Sequence, residues 1–176
     1  MLKSPYKIEP DATFSTAASE ALSKQLDELF NNLAGTLDGD VESLHDMRVA
    51  SRRLRAAMSV FESAFPVKVF QPLEREAARV TDALGEVRDS DVQIEYMTAL
   101  RQKVSVAERV GLDALIEHLT GERERHRKIL IKELERLGRS KFRADFSHML
   151  GREALSLEMK GSEDSGPTPE EGSVDG

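Results

Sequence analysis

Apolar residues recur at intervals of three and four along most of this chain. Between Ala12 and Leu33 they fall at Leu22, Leu26, Leu29, Phe30 and Leu33, the period of an amphipathic helix, and the segment GTLDGD from Gly35 breaks the pattern. Asp40, or Ser43 with Asp46 three residues on, can cap a second helix that ends at Pro66. A third pattern starts at Pro72 and runs through Leu73, Ala77, Val80, Leu84 and Val87 to about Val104, with Gly85 as a point where it can bend. A fourth spans about Leu112 to Leu137 and stops at Gly138; a fifth begins near Ser140 and runs to about Leu157. Strand-like alternation is absent, so the pattern predicts an all-α antiparallel bundle of about five helices.

Composition divides the chain further. Its 176 residues, 39% hydrophobic and 32% charged, suit one helical domain with a core. We place that domain at residues 12–157, after an N-terminal arm at 1–11. From Glu158 onward six acids face one lysine in a stretch rich in Gly, Ser and Pro, which predicts a disordered acidic tail over 158–176. The tail accounts for most of the formal charge of −7. A solvated tail is the simpler expectation, and a weak competitor for a cationic site is the sharper one. Cysteine is absent, which excludes disulfides and thiolate chemistry. No apolar run is long enough to cross a bilayer, and MLKSPYKIEP lacks a signal-peptide core. These features predict a cytoplasmic protein with no membrane partner.

Within the second helix, LHDMRVASRRLRAAMSVF carries one histidine and four arginines. Leu44, Met47, Ser51, Leu54, Met58, Phe61 and Phe65 form its core seam. At ~100° per residue, His45, Arg48, Arg52 and Arg55 share a sector roughly 80° wide beside that seam, while Arg53 points elsewhere. Such a stripe can be a solvated flank whose heads pair with neighbouring acids. Yet like charges at these spacings repel, and no acid on the same face offsets them. An anionic counterpart is therefore expected, and arginine favours forked contacts to carboxylate or phosphate.

LHDMRVASRRLRA and the later LGEVRDSDV resemble the two signatures of the conserved histidine α-helical domain family, CHAD. The resemblance implies a helical domain whose basic surface or pore binds inorganic polyphosphate, often beside a triphosphate-processing domain or on polyphosphate granules. It maps the signature histidine to His45, the following cations to Arg48, Arg52, Arg53 and Arg55, and the second motif to Arg88 and Asp89. ERERHRKILIKELERLGRSKFRADF resembles the next helix pair less specifically and adds Arg123 and Arg127. Asp89 and Asp91 are expected to orient cations. A full domain of this family has two similar halves, and nothing after Phe142 resembles a second histidine-arginine helix. The resemblance thus covers one half, and a homodimer is expected on the general preference for two-fold closure.

Other chemistries fit less well. HDMR is similar to the phosphoacceptor box of histidine-kinase dimerisation helices, which makes a phosphotransfer module with His45 as acceptor the alternative function; three more arginines follow where that box has a proline-containing turn. Glu42 and His45 form one E-x-x-H, and the second such motif of a di-iron bundle is missing. His118, Glu122 and His126 share a helical face, but Gly121 and the surrounding cations favour a surface or interface role. We expect no metal, no cofactor and no catalytic site. Without Trp and with two Tyr, the chain lacks stacking platforms, so sequence-specific nucleic acid is not expected as a partner.

Overall fold

The structure, a computed structural model, describes residues 14–151. The predicted arm, the acidic tail and the last turns of the fifth predicted helix lie outside the described residues. Within them the chain is helical: α1 (Phe14–Asn31), α2 (Leu33–Asp38), α3 (Val41–Phe61), α4 (Val67–Arg101), α5 (Val106–Arg139) and a final helical segment, 142–151.

Helix ends follow local chemistry, with three departures from the sequence reading. First, GTLDGD is not simply a break. α2 forms there and closes at Gly39, whose φ of +91° lets its N–H reach back to Thr36. Asp40 then caps α3 by accepting from the Ser43 N–H at 2.7 Å, and the Ser43 side chain first, then this backbone bond, hold its carboxyl below the usual range. Second, α4 starts at Val67 rather than Pro72. Pro66 is its N-cap and accepts from the Val69 and Phe70 N–H groups. Pro72 is tolerated inside because the hydrogen bond it forgoes points to the carbonyl of exposed Lys68, which water can serve. Third, α5 begins at Val106, six residues before Leu112. There the Glu108 carboxylate accepts from both the Ser105 N–H (3.0 Å) and its hydroxyl (2.6 Å).

The core lies where α1, α3, the first two-thirds of α4 and the end of α5 meet. Its largest side chains include Leu22 and Leu29, Met47, Leu54 and Met58, Phe70 and Leu84, and Leu130, Leu134 and Leu137, with Phe146 of the last segment closing one side. The α3 seam read from sequence is buried throughout except for half-buried Phe61. Antiparallel order is visible in paired positions: Arg55 with Asp82 and Arg48 with Asp89 between α3 and α4, then Arg101 with Asp113 and Arg123 with Asp91 between α4 and α5. At ~1.5 Å per residue, α4 and α5 outreach α3 by several turns. No residue of 91–101 or 106–129 is buried, so the far half of this hairpin projects from the bundle.

Packing of α2 on α3 is tight at one point. A Cβ on Gly35 would collide with the Ser43 hydroxyl and come within 2.8 Å of Ser43 Cβ. Gly35→Ala is therefore expected to force α2 off the first turn of α3, at a cost of about 1–3 kcal/mol, read as a lower urea midpoint at unchanged slope. An unchanged midpoint would mean that the contact gives way freely.

Candidate functional site

The arginine stripe of α3 faces α4. Arg48 Nη2 lies 3.7 Å from Asp89 and Arg55 Nη1 lies 3.3 Å from Asp82. Between these pairs stands exposed Arg52, with no carboxylate partner among the described residues. Gly85 lies between Asp82 and Asp89 on the facing side of α4, and a Cβ there would meet open space, so a groove remains open along the pair of helices. Arg48 is half-buried, and its Nε is enclosed without a hydrogen-bond partner.

At the start of α3 the groove widens into a cleft of about 460 Å³, lined by Asp40, Val41, Glu42, Leu44, His45, Arg88 and Asp91. α5 reaches the same place. Arg123 donates from Nε to Asp91 at 2.5 Å, and this bond first of all raises its pKa above the ordinary value. One turn later Arg127 lies against the backbone between α2 and α3: a Cβ on Gly39 would stand 2.9 Å from Arg127 Nη2. Gly39 thus serves twice, supplying the positive φ and leaving room for the guanidinium.

Three basic side chains from three helices therefore converge on the α3 N-terminus, itself the positive end of a helix. Among the described residues His45, Arg88 and Arg127 have no carboxylate within 4.0 Å. The cleft also holds carboxylates, but Asp40 is engaged by the Ser43 N–H and Asp91 by Arg123, so the guanidinium donors of Arg88 and Arg127 stay available to an entering anion. Arg53 does not join them. It lies ~100° round α3 from Arg52, exposed and without an ion-pair partner among the described residues.

The sequence reading anticipated Asp89 and Asp91 as residues that orient cations. It missed Asp82, although a signal was present, because Asp82 and Asp89 are spaced by seven like Arg55 and Arg48 opposite them. Gly39 was missed as part of the site. So was a hydrogen-bonded group between α4 and α5, in which Ser90 Oγ lies 2.9 Å from His126 Nδ1 and Glu86 Oε2 lies 3.8 Å from His126 Nε2. This is no nucleophile. Buried Ser90 gives its proton to the Glu86 carbonyl at 2.8 Å, so its oxygen accepts from the imidazole and the group ties the two helices together. Among the described residues no three His, Asp or Glu side chains are arranged to hold a metal.

Compared with protein families, residues 20–170 match the CHAD domain. This chain belongs to the CHAD domain family. The match covers most of the chain, from within α1 to beyond the last described residue, and includes every cation discussed above. No curated protein and no solved structure matches this CHAD domain. None of its described helices is long and apolar enough to cross a membrane.

Proposed function

We propose that this CHAD domain binds inorganic polyphosphate, with the chain lying in the α3–α4 groove and its phosphates held by His45, Arg88 and Arg127 in the cleft and by Arg48, Arg52 and Arg55 along the groove. The observation that carries this reading is that His45 and Arg88, which have no carboxylate partner among the described residues, line one cleft while Arg127, likewise without one, lies over Gly39 next to its wall at Asp40. Family membership supports it independently. No aromatic side chain lines the cleft, which favours a polyanion without bases over a nucleic acid that would stack. Arg48 and Arg55 exchange their aspartate partners for phosphate, a swap between two anions that costs less than stripping a lone carboxylate. Such binding suits storage of polyphosphate or attachment to polyphosphate granules.

The test is titration of the purified chain with polyphosphate and with DNA at equal phosphate. Tighter binding of polyphosphate is expected, and Arg48→Ala, Arg52→Ala and Arg55→Ala combined should weaken it while leaving the circular dichroism unchanged. Equal affinity for both polymers, or an unaffected triple variant, overturns the assignment. Acid-labile phosphate on His45 after incubation with a histidine kinase would favour phosphotransfer instead.

A further inference from the structure

The far half of the α4–α5 hairpin presents apolar residues that two helices cannot cover. Along the line where α4 and α5 meet, Ile94, Met97 and Leu100 face Leu112, Ile116 and Leu119, and all six are only half-buried. Leu115 beside them is 38% exposed, and Tyr96 63%. In the bundle proper the same seam of α5 continues into Leu130, Leu134 and Leu137, each buried by the helices that flank it there. A seam with bundle-like spacing and no flanking helices is a four-helix arrangement with two members missing.

Charge along α5 identifies what supplies them. Residues 106–122 carry four acids and one base, and residues 123–139 carry seven bases and three acids. The helix dipole favours acids at the start and bases at the end, but only within the first and last turns, whereas this segregation spans the whole helix. The projecting part alone shows it too, with three acids and one base over residues 106–117 and four bases and two acids over 118–129. An isologous contact about a two-fold axis near residue 118 runs one helix antiparallel to its copy and sets each acidic stretch against a basic one. Gly111 and Gly121 of α5 meet nothing within 4 Å of a built Cβ, so the helices can approach closely there. The face available is about 36 Å long and about two helix diameters wide, on the order of 700 Å², close to the roughly 800 Å² per partner of a stable interface.

We propose that the projecting α4–α5 hairpin is the docking surface for a second copy of this chain, the two hairpins packing antiparallel into a four-helix bundle. The chain is then a homodimer whose interface lies beside the cationic cleft, since Arg123 and Arg127 stand where the hairpin leaves the bundle. This inference does not depend on what the cleft binds.

Sedimentation equilibrium of the full chain tests it, with Leu115→Lys as the interface variant and Val60→Lys as the control. Leu115 contributes little to the monomer, being half-exposed, and Val60 is a 65% exposed residue of α3 away from the hairpin. The expected result is twice the 19.6 kDa chain mass at micromolar concentration for the native chain and for Val60→Lys, and a monomer for Leu115→Lys with unchanged circular dichroism. Raising salt should weaken the native dimer, as charge pairing between unlike halves requires. A native chain that stays monomeric at 100-fold higher concentration (on the order of 0.1 mM, where an interface of this area should hold), or a Leu115→Lys variant that dimerises as well as the native chain, overturns the proposal. Both outcomes are read from mass alone, so polyphosphate titration of the same variants judges the cleft separately.

Discussion

Replacing Arg88 and Arg127 together by alanine is expected to weaken polyphosphate binding by about 3–6 kcal/mol, on the order of 10²- to 10⁴-fold in Kd, at about 1.5–3 kcal/mol for each charged contact. The fold should survive. Neither guanidinium has an ion-pair partner among the described residues, so neither deletion strands a carboxylate. Removing Arg127 also relieves its cation from the positive end of α3. Arg123→Ala is a different experiment: it leaves half-buried Asp91 without its partner and is expected to lower stability as well as affinity. Arg53→Ala, on the far side of α3, should change binding by a few tenths of a kcal/mol at most. Isothermal titration at fixed salt, with thermal melts of each variant, separates these cases. If the Arg88 and Arg127 pair can be lost without effect while Arg53→Ala weakens binding, the ligand lies on the other face of α3.

How far this could be read from sequence depended on whether a feature was local. Helix identity, the α3 seam and the side occupied by His45, Arg48, Arg52 and Arg55 all follow from a 3.6-residue period that one segment carries by itself. Helix starts were less legible, because Pro72 and Leu112 look like boundaries while the real ones are set by the Pro66 carbonyl and by the Ser105–Glu108 pair. The latter was written in the sequence as S-x-x-E and could have been found. What no single segment carries is the cleft. Arg88, Arg127 and Gly39 lie on three elements, and only the packing of α5 across the α2–α3 turn shows why Gly39 must lack a side chain. Likewise, the apolar hairpin residues read as ordinary core positions, since a period reports a face and not whether anything covers it.

Affinity for polyphosphate should fall steeply with salt and rise as pH falls. About five arginines, namely Arg48, Arg52, Arg55, Arg88 and Arg127, release counter-ions from a flexible polyanion, and a slope of about −0.7 per contact gives roughly −3.5 for log affinity against log salt. Between 50 and 200 mM salt that is about a hundredfold loss. Arginine charge is constant over the accessible range, so on the protein's side the pH dependence between about 6 and 8 belongs to histidine. His45 faces Asp40 and Glu42 from its own helix and Arg88 and Asp91 from α4. A phosphate chain entering among them favours the imidazolium, so the complex holds a proton more firmly than the free protein does. Protons are then taken up on binding, and affinity increases as pH falls from about 8 to about 6, by at most about tenfold per pH unit for the one proton taken up. His45→Ala should remove this rise and keep most of the salt slope, because the arginines remain. An affinity indifferent to salt would exclude counter-ion release as the driving force. A full pH response in His45→Ala would move the titrating group elsewhere, and leave His45 as a residue that shapes the entrance of the cleft without touching phosphate.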